Sequence, residues 1–527
     1  MKHRNYRNNR REPTGGRATC RPTLTDEHVR WVASGAGLAG VLVVLLATSK
    51  YGVGLSPDSA NYLASSRNLL SGGGLVCADG TQMVSWPPLF PVILSLLGRL
   101  GVEPWDGARF VNAFAFGLTV YMSGLLFRKV LVSRMLVLAA IAAVLLSPAL
   151  VSVSVMAWTE LLFALLLVLY LGRLYAFISG GRTSTFALLC LVTVLAGFQR
   201  YMGASLILSG ALAMLIVMSR VSAKRRAVYA LVYGLVCGVP ILLWLARNYR
   251  LTNTFTGSRP SALTAVWPAV SGVFAEVAGW LAPHAPRVHA AWVAPVAGAV
   301  LCVGCGYLVR RASTSTDKTR SGMLHVAVLV AAVYIAAVLA VVSRDAVSQL
   351  PRFIAPLFPL AVMLAMEAAE YLARRLAAHL RRGLLADRAL LFLYAGWLAY
   401  AAFQTIVLTR DWTRDGAGGY NTRAWRESET VRWLRDHPPP GDVISNGPDA
   451  LRVLAGTNAR MTPRFESTSG QPLPPHVPTP VYLVWFHRIG RPYLYRPDEL
   501  AQHYGLVLVQ GLTDGDVFYV VKPESEW

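Results

Sequence analysis

The feature that most constrains this chain is a succession of apolar stretches long enough to cross a membrane. A hydrocarbon core of about 30 Å needs roughly 20 apolar residues at 1.5 Å per residue. Eleven candidates lie near 31–48, 108–127, 135–157, 159–178, 184–199, 202–218, 226–245, 290–309, 322–342, 353–372 and 389–408. Those between 159 and 218 are short or closely spaced, which leaves the count a margin of one or two. Of the 527 residues, 54% are apolar and only 15% are Asp, Glu, Lys or Arg. Soluble domains carry about 25% charged residues. With a mean hydropathy of +0.45, this composition excludes both an ordinary cytosolic enzyme and a disordered chain.

The net charge of +22 would suggest a nucleic-acid partner if the chain were soluble. In a membrane protein it reports orientation instead, because cytoplasmic loops collect Lys and Arg. Basic residues do cluster in alternate connections: Lys2 to Arg11, Arg128/Lys129/Arg134, Arg173/Arg182, Arg220 to Arg226, Arg310 to Arg320 and Arg374 to Arg388. The loops 49–107, 246–289 and 343–352 are poor in them for their length. This places a basic cytoplasmic segment at 1–30, a transmembrane core at 31–408 and an outer tail at 409–527, in a cell (inner or plasma) membrane. No nucleic-acid partner is expected. The first crossing is too long for a signal-peptide core, and Ala47-Thr48-Ser49-Lys50 offers no convincing cleavage site, so it reads as an anchor.

The expected fold is therefore an all-α polytopic membrane protein of about 11 transmembrane helices, with interfacial helices in the first outer loop and a small C-terminal α/β extracytoplasmic domain. In the loop, Asp58 or Ser59 can start a helix after Pro57, and Gly72-Gly73-Gly74 ends it. Tyr62, Leu63, Leu69 and Leu70 give that helix an apolar side. A second interfacial helix follows Trp86-Pro87-Pro88. In the tail, Asp442–Asn446, Pro480–Phe486, Gly505–Gln510 and Asp516–Val521 read as strands, and Ala424–Asp436 and Pro497–His503 as helices. Of six cysteines only Cys77 falls outside on this map, so no outer disulfide is expected, and Cys302-Val-Gly-Cys305 sits in an apolar stretch, where helix packing explains it.

Ionisable side chains at the membrane edge are costly and point to function. Two carboxylates fall at the outer ends of crossings, Asp58 and Glu160. Either could take a proton from an attacking hydroxyl or amine, or hold a metal ion; the plainer readings are a helix cap for Asp58 and a helix N-terminal charge for Glu160. Arg200, Arg247, Arg250, Arg259, Arg344 and Arg352 gather at the same level. One arginine there is an interfacial anchor; several converging on two carboxylates suit a lipid phosphate, which guanidinium binds bidentately.

These residues resemble the GT-C membrane glycosyltransferases, which include protein O-mannosyltransferases and bacterial lipid A aminoarabinose transferases. The likeness rests on Pro57-Asp58-Ser59-Ala60-Asn61-Tyr62, Leu69-Leu70-Ser71-Gly72-Gly73, Pro87-Pro88-Leu89-Phe90-Pro91 and Thr159-Glu160-Leu161-Leu162-Phe163. It continues in Gln199-Arg200-Tyr201-Met202-Gly203, Arg247-Asn248 leading to Thr256-Gly257-Ser258-Arg259, and Arg352-Phe353 to Pro359. The resemblance implies an inverting transfer of a sugar from a polyprenyl-phosphate donor, on the outer face of the membrane, to a glycan, lipid or protein of the envelope. It implies Asp58 as general base and Glu160 as the supporting acid; Arg200, Arg247, Arg259 and Arg352 are inferred candidates for neutralising the leaving phosphate, and Tyr62 and Tyr201 candidate substrate-binding residues beside them. Many relatives have two adjacent acids in the first loop, whereas Ser59 follows Asp58 here; no metal or other cofactor is expected. Two other readings are a secondary transporter or lipid flippase and a non-catalytic scaffold of an envelope polysaccharide complex. A transporter would show internal repeats and mid-helix charges; a scaffold would need neither Asp58 nor Glu160.

Overall fold

Backbone polar groups inside a bilayer must find partners within the protein, so the apolar stretches fold as helices. The computed structural model describes residues 25–257, 266–281, 306, 318–344, 350–380, 383–464 and 477–521. Among them, seven helices are long and apolar enough to cross a membrane. They are α1 (Asp26–Ala47), α4 (Pro104–Val130), α7 (Glu160–Gly180), α10 (Ala223–Thr252) and the segments Arg320–Val342, Leu350–Leu372 and Phe392–Asp415. The chain is a multi-pass membrane protein.

The remaining candidates differ in detail. The stretch 135–157 is two helices, α5 (Arg134–Leu145) and α6 (Pro148–Ser154), bent by 41°. Pro148 has no N–H to continue α5, and the Ser147 hydroxyl caps α6 instead, accepting from the Leu150 N–H. The stretches 184–199 and 202–218 form the shorter helices α8 (Thr183–Gln199) and α9 (Ala204–Ile216), separated by Arg200 in extended conformation and a single 3-10 turn. Apart from Gly306, the candidate at 290–309 lies outside the described residues. A helix not anticipated from sequence, α11 (Val266–Leu281), occupies the second long loop.

Small residues bring the helices together. A Cβ on Gly37 of α1 would lie 2.8 Å from the Gly117 carbonyl oxygen of α4, so the two backbones touch. Buried hydroxyls tie four helices: Tyr170 donates to the Leu206 carbonyl at 2.8 Å and meets Ser209 at 3.0 Å, while Tyr233 meets Thr193 at 2.9 Å. At the end of the bundle away from Arg352, Arg320 pairs with Glu367 and lies 3.5 Å from Glu370, which also accepts from the Val132 and Ser133 N–H groups at 3.2 and 3.0 Å. The buried charges are thus compensated.

The first long loop carries α2 (Pro57–Leu70) and α3 (Leu89–Arg99). The tail forms a five-stranded sheet in the order β2-β1-β3-β5-β4. Its strands are β1 (Val443–Ser445), β2 (Arg460–Met461), β3 (Val481–Phe486), β4 (Gly505–Leu512) and β5 (Gly515–Val521). Strand β1 runs parallel to β2 and β3, and β5 antiparallel to β3 and β4. The helix expected over 424–436 is two, Arg423–Arg426 and Glu429–Asp436: the first ends at Glu427, and Ser428 caps the second, its hydroxyl accepting from the Val431 N–H. The other expected helix is a single turn, Pro497–Leu500. Loop and tail share one apolar core: Leu55, Tyr62, Leu63 and Phe90 pack in the same cluster as Trp425, Leu451, Phe486 and Val517.

Candidate active site

The site begins with a strip of backbone pairing. After α1 ends, Gly54 pairs in parallel with Met156: the Gly54 N–H donates to the Val155 carbonyl at 2.8 Å, and the Ala157 N–H donates to the Gly54 carbonyl at 2.9 Å. Four residues beyond each partner stand Asp58 and Glu160, so the parallel register delivers both carboxylates together at the first turns of α2 and α7. Ser56, not Asp58, caps α2. The Ser56 hydroxyl also accepts from the Trp158 ring N–H at 2.7 Å, which ties the two helix starts to each other.

Arg352 joins the carboxylates. Its Nη1 lies 2.9 Å from Asp58 Oδ2 and its Nε 2.7 Å from Glu160 Oε1, while the guanidinium stacks 3.8 Å over the Trp158 ring. Arg200, from the break between α8 and α9, reaches the same Glu160 oxygen at 2.5 Å, donates to the Thr159 hydroxyl at 2.9 Å and lies over Phe353. The two acids differ in access: the Glu160 side chain is 0% exposed and that of Asp58 29%. Glu160 is thus a buried counter-charge between two guanidiniums, and Asp58 is the carboxylate partly open to solvent. Tyr62, one turn after Asp58, is buried edge-on against Trp86 and Phe90. Burial, reinforced by the Asp58 and Glu160 charges, pushes its phenol well above the ordinary value, so it stays protonated.

A second cluster adjoins the first through Tyr201. The Tyr201 hydroxyl donates to the Val84 carbonyl at 2.7 Å and accepts from Trp244 at 3.1 Å and from Asn248 at 3.0 Å. Arg247 lies 4.5 Å from the Trp244 ring and donates through Nη1 to the Met83 carbonyl and Asn248 Oδ1. Among the described residues no carboxylate pairs with it. The structure thus groups Asp58, Tyr62, Glu160, Arg200 and Arg352, and places Tyr201 and Arg247 beside them. Arg259 lies outside the described residues, and Arg250 and Arg344 are exposed. Sequence reading missed Trp158, Ser56, Trp244 and Asn248; the clue was their position beside the chosen charges, at helix ends where an indole N–H or amide finds polar partners. Among the described residues, no three His, Cys, Asp or Glu side chains converge in a way that could hold a metal ion.

Seven long apolar helices and an acid-bearing first loop packed against a small C-terminal sheet give this chain a fold that solved proteins share. One solved example is ArnT from Cupriavidus metallidurans in the apo state, matched over 93% of this chain and 97% of that one with TM-score 0.58 and 17% identity. The same enzyme bound to undecaprenyl phosphate matches over the same shares with TM-score 0.56 and 16% identity. The archaeal oligosaccharyltransferase AglB from Archaeoglobus fulgidus, in complex with an inhibitory peptide and a dolichol-phosphate, matches over 96% of this chain and 75% of that one, with TM-score 0.57 and 12% identity. At these identities the likeness is one of fold. No family model matches the sequence, and neither does any curated protein.

Proposed function

We propose that this protein is a glycosyltransferase that moves a sugar from a polyprenyl-phosphate donor to an envelope glycan, lipid or protein, at the outer face of the inner or plasma membrane. Supporting this reading is one observation above all: a reachable carboxylate, Asp58, tied through Arg352 to the buried Glu160–Arg200 pair. The undecaprenyl and dolichol phosphates bound by the two solved relatives agree with a lipid-phosphate donor.

In this mechanism the acceptor hydroxyl oxygen attacks the anomeric carbon from the side opposite the phosphate. The carbon–oxygen bond to phosphate breaks, its electron pair leaves with the polyprenyl phosphate, and Asp58 takes the hydroxyl proton. A single displacement of this kind inverts the anomeric centre. Asp58 acts as base. Arg247, with no carboxylate to neutralise it among the described residues, balances the charge that develops on the leaving phosphate, assisted by Arg352 on the Asp58 side. Arg259 joins this phosphate-binding set on the strength of its position after Gly257-Ser258. Tyr201, partly exposed, lines the approach to the sugar, whereas Tyr62, expected from sequence to bind substrate, is buried against Trp86 and Phe90 and supports the Asp58 turn from within.

The test is Asp58→Asn, which keeps shape and removes the base. In membranes supplied with a panel of undecaprenyl-phosphate pentoses and hexoses, transfer is expected to fall by about 100-fold or more at unchanged protein level. Transfer at the wild-type rate would remove Asp58 from the reaction. Mass spectrometry of envelope glycans and glycoproteins from a deletion strain identifies the sugar and the acceptor together.

A further inference from the structure

The backbone strip that carries Asp58 has a second neighbour, from the opposite end of the sequence. Where the last membrane helix ends at Asp415, the chain turns through Gly416 to Asn421 and lies along residues 51–55. The Leu55 N–H donates to the Gly418 carbonyl at 3.2 Å, and the Tyr420 N–H donates to the Leu55 carbonyl at 2.8 Å. Asn421 is fully buried; its side-chain amide donates to the Val53 carbonyl at 2.8 Å and to the Tyr51 carbonyl. Arg426, which can only donate, reaches the Asn421 side-chain oxygen at 2.9 Å and so turns the NH2 toward those two carbonyls. Gly419 has φ +58, and a Cβ there would overlap the Leu55 carbonyl oxygen.

We propose that this turn is a positioning element of the active site and that Asn421 is its central residue. The segment 53–55 is held on one side by 155–157, which lead into Glu160, and on the other by 418–421, so the placing of Asp58 relative to Glu160 depends on the tail. Asn421 touches no reacting atom; it acts through the backbone that enters α2. Misplacing a reacting group by about 1 Å costs on the order of 100-fold in rate. The proposal rests on Asp58 serving as the base.

The variant that isolates this role is Asn421→Asp. It keeps size and the Arg426 partner but sets an acceptor against two carbonyl oxygens. Two measurements on the full-length chain in detergent decide the matter. Hydrogen exchange of the amides in peptide 52–58 is expected to quicken by about tenfold, while β1 and β3 keep their protection. With the undecaprenyl-phosphate sugar that the wild type turns over, kcat is expected to fall by about tenfold at unchanged KM, and the same substitution is expected to cost nothing further in an Asp58→Asn background. Unchanged exchange at 52–58, or an equal loss of rate with and without Asp58, overturns the positioning role. If the wild type turns over no such donor, the catalytic reading falls and exchange alone decides the positioning. Should Asn421→Asp fail to accumulate, Asn421→Ala removes the same two donors without the repulsion and is read in the same way.

Discussion

Arg352 meets Asp58 through Nη1 and Glu160 through Nε, a division that the fixed fork of a guanidinium permits and a lysine does not. With Arg200 also on Glu160, two cations share one buried anion, which leaves both arginines anchored before any substrate arrives. Arg247 is differently placed, stacked on Trp244 and bonded only to neutral oxygens among the described residues. Arg247→Ala is therefore expected to weaken use of the lipid donor more than folding. A charge-assisted hydrogen bond contributes about 1.5–3 kcal/mol, so kcat/KM is expected to drop by roughly 10- to 150-fold, with Tm nearly unmoved; undecaprenyl-phosphate binding to the purified chain checks the same loss. The acids and arginines were legible in the sequence because charge at a membrane edge is conspicuous. Their pairing was not, since Arg352 and Glu160 lie 192 residues apart and no local pattern records the contact.

Among the elements, those with a strong period were read well. Within the described residues the apolar runs are helices, and four tail strands were recognised within a few residues because their apolar residues are closely spaced. Strand β2 has two residues, and the helix Pro448–Leu454 that precedes it has seven, too few to establish a period. The capping serines 147 and 428 begin the second helix of each pair that stands where a single helix is expected. The tail's stability depends on Asp514, whose Oδ1 accepts from the Thr430 N–H at 3.0 Å and from its hydroxyl at 2.8 Å. Burial pushes this carboxyl up, but hydrogen bonds from Ser428 and Thr430, with the Arg488 charge, outweigh it and hold the group below its ordinary value. A depressed carboxyl stabilises the fold above its unfolded pKa of about 3.9 and stops doing so as pH falls through the lower folded value. Asp514→Ala is thus expected to cost about 1–3 kcal/mol at pH 7. The gap from wild type should shrink at acid pH, as followed by thermal unfolding across a pH series.

For the whole molecule, the +22 charge reads as an orientation signal rather than as a mark of a nucleic-acid partner. About half of the 50 basic residues sit in the alternate connections read as cytoplasmic. If that topology holds, a reporter fused after Val521 reads as extracytoplasmic and one placed in the 220–226 connection as cytoplasmic; the reverse pattern would refute the orientation. The shared core of first loop and tail could not be read from sequence, because both are amphipathic segments whose apolar faces have no marked addressee until they meet. The matched register of Gly54 with Met156 sets a limit on how this protein can vary. One residue added or lost between 54 and 58, or between 156 and 160, would turn one carboxylate by about 100° around its helix and take it away from Arg352. A single-codon insertion or deletion in either short span is therefore expected to part the two carboxylates, as is one in the 418–421 turn that pairs with the same strip.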